Sequence, residues 1–389
     1  MEAIEGATYG EVGVDVDVEA KAAKILFGEA RGTFENRNGK LGEVHSISDS
    51  FSGVRFSDIG GLPIGVVDGL NSDGVGTKPV VVMEAGVLDT IAIDLISNVS
   101  VDAAIKGADP AHVSTILKVN TLGKDESRLH LIRDLASGYL LGARDAGIAV
   151  TNGEIAQHND AMDGDPSKFS FDWDATVKWY AHEDRLAQLD GSRIEAGDFL
   201  VALKETGLRC NGISLVRQIL KSEYDDEWGE VMFEGQRLVD LVLQPPVAYT
   251  RAIVEMTGAD NYGVDRKGKL LVPSLLRGGV HVSGSGIPGK LARFLFPRGK
   301  GAFITDLYEP SKLIERIQTA GRVTDWEIYR TLCMGQGAIL ICSADDSQDV
   351  INIARKHLVE SKVVGLVTND PTIAIESRGL ERDYLTYVA

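Results

Sequence analysis

Cysteine is scarce in this chain, and basic residues are outnumbered by acidic ones. Only three cysteines, Cys210, Cys333 and Cys342, occur among 389 residues, and their spacing suits neither a disulfide framework nor a zinc site. The 40 lysines and arginines face 57 aspartates and glutamates, which gives a formal net charge of −17. A broad surface that neutralises phosphates is not expected from this balance, so we expect no nucleic-acid partner.

Long apolar runs are also missing. None approaches the roughly 18 residues of a membrane span, and the opening Met-Glu-Ala-Ile-Glu lacks the basic region and apolar core of a signal peptide. We therefore expect a cytoplasmic protein that does not associate with membranes. Hydrophobic content of 44% and charged content of 25% are ordinary for a globular protein, and the length predicts two domains.

Strands and helices are predicted to alternate along both halves, which indicates an α+β fold of two α/β domains. The patterns favour helices over residues 19–30, 90–106, 129–146, 214–223, 238–257, 290–296, 313–320 and 346–358. They favour strands over residues 12–18, 64–67, 80–83, 112–119, 148–150, 174–179, 199–203, 280–282, 302–304, 338–342 and 363–367. Residues 31–58 are predicted to form a loop. A charged, turn-rich break predicts domains at 1–185 and 186–389.

The most informative segment is 71–78, which reads Asn-Ser-Asp-Gly-Val-Gly-Thr-Lys. Glycines let backbone N–H groups approach a phosphate, a lysine supplies a positive charge, and an aspartate can hold a hard cation. The order differs from that of a Walker A loop, where glycine precedes the lysine and threonine follows it. A polar turn has the same composition, so both interpretations stay open at this point. The candidate binding residues here are Asp73, Gly74, Gly76, Thr77 and Lys78.

The predicted helix 90–106 carries Asp94, Asn98 and Asp102 at steps of four. That spacing keeps them on one slowly rotating face, with the two aspartates about 12 Å apart along the axis. One cation cannot bridge them, whereas a triphosphate with two Mg²⁺ ions could use both. The rest of this helix is mostly apolar, so each carboxylate requires a partner.

A glycine-rich segment, 281–289, reads His-Val-Ser-Gly-Ser-Gly-Ile-Pro-Gly. It contains the G-x-G-x-x-G pattern of dinucleotide sites between a predicted strand and a predicted helix. It equally suits a helix N-terminus that binds any phosphate, or a tight structural turn. His281 lies beside the two glycines Gly284 and Gly286, and is a candidate acid or base.

Two shorter segments carry further polar candidates. Glu154 follows a glycine at the end of a predicted strand, where α/β sites commonly open, although turn chemistry would place the same residues. Arg209 and Asn211 lie between a predicted strand and a predicted helix, which is a favourable position for an anion. Cys210 between them has no His or Asp nearby in sequence, so packing is the favoured interpretation of its role.

These motifs resemble the aminoimidazole ribonucleotide synthetases (phosphoribosylformylglycinamidine cyclo-ligases) over nearly the whole chain. Residues 73–78 match that family's D-G-V-G-T-K. Residues 89–95 and 107–110 are similar to its D-T-I-G-I-D-L and G-A-(E/D)-P. Residues 211–217 match its N-G-x-S-L-V-R, and 329–331 its Y-R-T. The N-terminal Tyr9 and residues 13–17 resemble its opening Y-x-x-(A)-G-V-D-(I/V)-D.

The resemblance implies an ATP- and Mg²⁺-dependent homodimer whose N-terminal sheet pairs with a second subunit to close a β-barrel. It implies ring closure of formylglycinamidine ribonucleotide, a small phosphorylated substrate, to aminoimidazole ribonucleotide with release of ADP and phosphate. The implied metal-facing carboxylates are Asp73, Asp94, Asp102 and Glu154. The implied nucleotide-binding positions are Asp73, Gly74, Gly76, Thr77, Lys78, Asn211, Gly284 and Gly286, and the implied catalytic positions are Lys78, Arg209 and His281.

Several substrate-side positions depart from the family pattern. The family's glycine-rich loop is Ser-Asp-Ser-Phe-Ser-Gly at 48–53, its G-G-E-T-A-E-M is Asn-Gly-Glu-Ile-Ala-Gln-His at 152–158, and Arg209 stands where it has a histidine. Three alternatives therefore remain at this point: a paralogue with a different acceptor, a non-catalytic nucleotide-binding dimer, and a dinucleotide-dependent oxidoreductase built on 284–289.

Overall fold

A computed structural model describes residues 15–48, 53–124, 126–158, 161–162 and 167–388. The helices are α1 Val16–Gly32, α2 Lys78–Ala85, α3 Ile91–Ala104, α4 Leu129–Ala146, α5 Glu183–Gln188, α6 Ile213–Tyr224, α7 Leu238–Val242, α8 Thr250–Thr257, α9 Gly286–Leu295, α10 Lys312–Gly321, α11 Asp325–Thr331 and α12 Ser347–Lys356. No helix among the described residues is both long enough and apolar enough to cross a bilayer.

The strands are β1 His45–Ser46, β2 Arg55–Phe56, β3 Val66–Gly74, β4 Asp109–Val119, β5 Ala149–Val150, β6 Glu154–Gln157, β7 Phe171–His182, β8 Phe199–Lys204, β9 Met232–Phe233, β10 Gln236–Arg237, β11 Leu276–His281, β12 Gly301–Ile304, β13 Gln336–Cys342, β14 Ser361–Thr368, β15 Thr372–Glu376 and β16 Tyr384–Val388. This mixed α/β composition agrees with the predicted alternation of strands and helices.

Two large sheets organise the fold, one in each half of the chain. The first has the order β3-β7-β4-β5, with β6 also pairing β4, so β3 is an edge strand. The second has the order β11-β13-β8-β14-β12-β15-β16, in which only β12 and β15 run parallel. The main cluster of buried apolar side chains draws residues from both halves. The predicted boundary at 185/186 lies inside α5.

Two predicted strands are wrong because local helix signals outweigh their β-branched residues. In the segment predicted as strand 12–18, the Asp15 side chain caps the N–H groups of Asp17 and Val18 at 3.0 Å, so α1 begins at Val16; residues 12–14 lie outside the described part. The predicted strand 80–83 forms α2, which has Pro79 in its first turn and buries Val81 and Val82.

Two further predictions are corrected in detail. The predicted helix 238–257 is split into α7 and α8, because Pro245 and Pro246 remove two backbone donors between them. The predicted loop 31–58 contains a short 3₁₀ turn at Phe34–Arg37 and the β1–β2 pair. All three cysteines are free in the structure.

Helix α3 is buried and carries polar side chains that are matched by partners from elsewhere in the chain. The Asp94 carboxylate accepts a hydrogen bond from the Lys78 ammonium at 2.7 Å, and both side chains are fully buried. Burial raises the pKa of Asp94 and the Lys78 charge opposes that rise. The apolar surroundings therefore tolerate this carboxylate because a lysine of the same chain neutralises it.

Other polar groups of α3 connect it to the second half. The buried Arg209 donates to the hydroxyl of Ser97 at 3.1 Å and to the carboxylate of Glu205 at 2.8 Å. The Ser100 hydroxyl lies 2.8 Å from the Thr250 hydroxyl, and both are buried. These hydrogen bonds join the first-half helix to the loop that follows β8 and to α8, so the two halves share a polar interface at α3.

Asp94→Asn is expected to lower the free energy of unfolding by about 3 kcal/mol, because it leaves the Lys78 ammonium buried without a counter-charge. Urea unfolding followed by circular dichroism measures the change. The double variant Lys78→Met/Asp94→Leu should recover most of the loss, since it removes both charges together. The exposed Asp134→Asn on α4 is the matched control, with a change below about 0.5 kcal/mol. If Asp94→Asn unfolds at the same urea concentration as the wild type, the Asp94–Lys78 pair does not have this structural role.

Candidate functional site

Three of the predicted anion-binding loops lie together where the two halves meet. The Thr77 hydroxyl at the end of the first loop is 2.9 Å from the Ser214 hydroxyl in α6. A Cβ atom on Gly76 would lie 3.6 Å from the Cys210 carbonyl oxygen, and one on Gly284 would lie 3.8 Å from Asn211 Oδ1. The loops before α2, α6 and α9 are therefore neighbours, although they are more than 200 residues apart at the extremes.

Each of these loops leads into a helix whose N-terminus has no side-chain cap. The first N–H groups of a helix lack intrahelical partners and carry a partial positive charge, so they attract anions. Gly286, the first residue of α9, has φ of +60°, and a Cβ there would lie 1.9 Å from the Tyr329 carbonyl oxygen. Only glycine fits this close approach.

The predicted metal-facing carboxylates do not converge. Asp73 is exposed, and one of its oxygens accepts the N–H of Gly74 at 2.8 Å. Gly74 pairs with Asp174, which pairs with Ile116, which pairs with Glu154. Three strand spacings, about 14 Å, therefore separate this end of β3 from Glu154.

The remaining two carboxylates have partners within the chain, Asp94 with Lys78 and Asp102 with His281. Across the described ranges, no three His, Cys, Asp or Glu side chains gather into a group that could hold a metal ion. Mg²⁺ that accompanies a nucleotide needs only one or two protein carboxylates in addition to phosphate oxygens, and the exposed Asp73 meets that requirement.

A cleft of about 460 Å³ opens beside the loops, between the first-half and second-half elements. Strands β3 and β7 and the end of α3 form one wall, and β11 and α9 form the other. The side chains that line it include one carboxylate, one imidazole, three cations and two large aromatic groups: Asp102, His281, Lys106, Lys290, Arg293, Trp179 and Phe294.

His281 and Asp102 form a hydrogen-bonded pair in this cleft. Nδ1 of His281 lies 2.7 Å from Oδ1 of Asp102, and a carboxylate can only accept, so Nδ1 carries the proton. Nε2 is buried and has no hydrogen-bond partner among the described residues. Sequence reasoning proposed His281 as an acid or base, and it did not connect His281 with Asp102.

The electrostatic surroundings favour a neutral imidazole. Burial lowers the pKa of His281, and the nearby Arg209 charge lowers it further against the opposing effect of Asp102. Burial pushes the pKa of Asp102 upward, but the hydrogen bond and charge of His281 hold it below its ordinary value. At neutral pH the Nε2 lone pair is therefore available as an acceptor.

Sequence reasoning missed the cations of the cleft. Lys290 and Arg293 are three residues apart on α9, directly after the glycine loop, and Lys106 follows Asp102 by four residues at the end of α3. Helical spacing could have placed each of them beside a predicted site residue.

The topology argues against the dinucleotide alternative. A dinucleotide fingerprint requires a parallel strand–helix–strand unit. Strand β11 is an edge strand that runs antiparallel to its neighbour β13, and β12, which follows α9, lies four positions away in the sheet. The glycine loop therefore fits the interpretation of an anion-binding helix N-terminus.

Comparisons with known proteins show what the chain is similar to. Residues 263–377 match the family model described as AIR synthase related protein, C-terminal domain. The phosphoribosylformylglycinamidine cyclo-ligase of Thermococcus kodakarensis is 28% identical over 96% of this chain and 99% of its own length. The enzyme of that name from Synechococcus elongatus is 28% identical over 94% and 98%.

A solved structure of similar fold is that of the hydrogenase maturation protein HypE in complex with ATP. It has a TM-score of 0.55 and 11% identity, and the alignment covers 91% of this chain and 90% of HypE. The likeness concerns the fold alone. Together, the ordered motifs, the matched C-terminal region and the relatives make the chain similar to the AIR synthase (phosphoribosylformylglycinamidine cyclo-ligase) family over nearly its whole length.

Proposed function

We propose that this protein catalyses the ATP-dependent ring closure of formylglycinamidine ribonucleotide, giving aminoimidazole ribonucleotide, ADP and phosphate. The observation that carries the proposal is the meeting of three family motif loops near a cleft that is lined by the hydrogen-bonded pair of His281 and Asp102. Phosphoryl transfer is governed mainly by positioning and by charge stabilisation. The N-termini of α2, α6 and α9 could position and stabilise the phosphates, and His281 nearby could accept a proton.

The nucleotide phosphates would lie at the uncapped N-termini of α2, α6 and α9, with Gly76, Asn211 and Gly284 around them. The exposed carboxylate of Asp73 would hold Mg²⁺ together with phosphate oxygens. ATP, when bound, supplies the phosphoryl group that activates the formyl oxygen. The chain's own contribution is a fixed set of N–H donors that need no rearrangement.

His281 would accept, at Nε2, the proton that the substrate amine loses as it closes the ring. Asp102 would act as a positioning residue, because its hydrogen bond to Nδ1 fixes the tautomer and the ring orientation. We assign structural roles to Asp94 and Arg209, which are held in buried pairs with Lys78 and Glu205. Contrary to the sequence prediction, Asp94 would therefore not contact the metal, and Arg209 would not contact the acceptor.

A second candidate is a paralogue that phosphorylates a different small acceptor. It is favoured by Arg209, which stands where the family has a histidine and whose guanidinium is buried against Glu205. Because the guanidinium of Arg209 pairs with Glu205, it would not contact the substrate in the way that the family histidine would.

In the presence of ATP and Mg²⁺, the purified chain is expected to release ADP only when formylglycinamidine ribonucleotide is added. A coupled assay of ADP release measures this.

His281→Gln should lower kcat by about 10²- to 10⁴-fold, the usual contribution of a general base. Asp102→Asn should cause a smaller loss and move the pH profile, because the tautomer is no longer fixed. Since burial lowers the pKa of His281 from its ordinary value, wild-type activity should persist below pH 6.5 and fall only as the imidazole gains a proton.

His130→Gln, an exposed histidine on α4, is the matched control and should behave as wild type. ADP release with another acceptor but not with formylglycinamidine ribonucleotide would select the paralogue. Nucleotide binding without turnover on any acceptor would indicate a sensor. A near-normal kcat in His281→Gln would show that His281 is not the general base.

We further propose that the chain forms a homodimer through its first sheet. The first sheets of the two subunits would pair and close a β-barrel between them. Among the described residues β3 pairs only with β7, and Leu70 and Ile116 on this sheet are 67% and 47% exposed. Native proteins rarely leave such an edge uncovered. Sedimentation equilibrium is expected to give twice the 41.9 kDa chain mass, and Leu70→Lys to weaken association. A wild-type monomer at micromolar concentration would contradict the dimer.

A further inference from the structure

The glycine-rich loop before α9 contains one residue whose backbone conformation favours glycine. Ser285 has φ of +73° and ψ of +7°, which lies in the left-handed region that L side chains rarely adopt. A glycine would adopt this conformation without strain, and Gly286 beside it does so at φ of +60°. The Ser285 side chain is therefore kept at a cost to stability, which points to a role that a glycine could not fill.

That role is not the capping of a helix. A serine normally caps a helix by accepting a hydrogen bond from an N–H group of the first turn, but Ser285 makes no such bond to α9. Its hydroxyl instead donates to the carbonyl oxygen of Gly284 and accepts a hydrogen bond from Nη2 of Arg293, about two turns further along the helix. The first N–H groups of α9 thus stay available to an anion, while the hydroxyl holds a guanidinium beside them.

A second residue makes room for this contact. Gly289 lies in the first turn of α9, although glycine is a poor helix former. A Cβ atom at this position would lie 2.7 Å from Cβ and 2.9 Å from Oγ of Ser285, so a larger residue would displace the serine side chain. Two residues that are unfavourable for local stability, Ser285 and Gly289, thus permit the same contact between hydroxyl and guanidinium.

Arg293 lies at the junction between the glycine-rich loop and the cleft. Its hydrogen bond to Ser285 attaches it to the loop, and it lines the cleft of about 460 Å³ together with His281. Within the described part of the chain, the guanidinium makes no other hydrogen bond and no ion pair. Its remaining N–H donors are therefore available to a phosphate, whose oxygens match the fork of an arginine.

We propose that Ser285 is a positioning residue that fixes the guanidinium of Arg293 at this junction, and that Arg293 stabilises the phosphoryl group as it passes from the nucleotide to the acceptor. This inference deepens the proposed function and rests on it for the identity of the acceptor. A guanidinium that is already in place when charge develops on the transferred group lowers the barrier, because it needs no rearrangement.

The transfer itself requires no proton from the protein. The formyl oxygen of the acceptor forms a bond to the γ-phosphorus of ATP. The bond from that phosphorus to the bridging oxygen breaks, and ADP leaves with the electron pair. The amide nitrogen of the acceptor keeps its proton and takes up a positive charge. Arg293 stays protonated throughout, and contributes its charge and its N–H donors.

Ser285→Gly separates this role from a structural one. The variant should raise Tm by about 1 °C, because it relieves the left-handed strain. It should nevertheless lower kcat for ADP release by about 10- to 100-fold, with a change in KM for ATP below about two-fold, because the guanidinium loses its position. Arg293→Gln should lower kcat by about 10³-fold. The double variant should be no slower than Arg293→Gln, since both changes remove one interaction.

Leu358→Gly is the matched control for the relief of strain. Leu358 also has a positive φ, of +59°, and its side chain is 93% exposed, at the end of α12. Its replacement by glycine should raise Tm in the same way and leave kcat unchanged.

A binding measurement tests the same residues without any acceptor. ADP and Mg²⁺ are titrated calorimetrically into the full chain with and without aluminium fluoride, which mimics the phosphoryl group in transfer. Wild type should bind ADP at least about ten-fold more tightly with the fluoride, and Ser285→Gly and Arg293→Gln should lose most of that gain.

A wild-type kcat in Ser285→Gly, or the same fluoride-dependent gain in wild type and both variants, would overturn the inference. A wild type that gains nothing from the fluoride would overturn it too. If the gain is present in wild type and lost in both variants, yet the chain releases no ADP with any acceptor, the role of Ser285 and Arg293 stands and the ligase proposal falls.

Discussion

A carboxylate on a buried helix persists only if something neutralises it, and in this fold the chain supplies the partners itself. Asp94 pairs with Lys78, and Asp102 with His281. The sequence interpretation assigned that task to metal ions and a nucleotide. The structure gives Asp94 the charge of a lysine 16 residues away and gives Asp102 a hydrogen bond from a histidine 179 residues away. Helix α3 thereby makes polar contacts with elements from both halves of the chain.

This constraint also places the site. The partners of α3 are Lys78 at the end of the first loop, Arg209 in the loop between β8 and α6, and His281 on β11. Each of these residues lies in or beside one of the three loops that meet, so the contacts that satisfy the polar groups of α3 also bring those loops together. The cleft opens at the end of α3, where Asp102 and Lys106 emerge between the sheets. Buried pairs lie toward the beginning of α3, and the pair of Asp102 with His281 lines the cleft at its end.

Much of the fold and part of the site could be predicted from the sequence. Periodicity identified α3, α4 and the strands β8, β11, β12, β13 and β14 of the second sheet, whereas β15 and β16 were not predicted. The glycine loops before α6 and α9 were recognised as helix entries. The strand prediction at 80–83 failed because three consecutive valines resemble a strand, whereas Pro79 and the burial of one face produce a helix.

The pairings could not be predicted, since a single sequence does not say which partner a buried charge will find. The pairing of His281 with Asp102 and the gathering of Lys106 with Lys290 depend on two halves folding together. Asp94 was expected to serve a metal because its helix is apolar. That reasoning correctly required a partner and did not consider Lys78, which the loop motif had assigned to phosphate.

The central claim is that polar contacts of α3 join both halves into one cooperative unit. Scanning calorimetry of the wild-type chain, with Trp173 in the first sheet and Trp228 in the second half as fluorescent probes of each half, tests it most directly. We expect one transition, with coincident fluorescence and heat signals and equal calorimetric and van't Hoff enthalpies. Two separated transitions, one for each half, would contradict the claim.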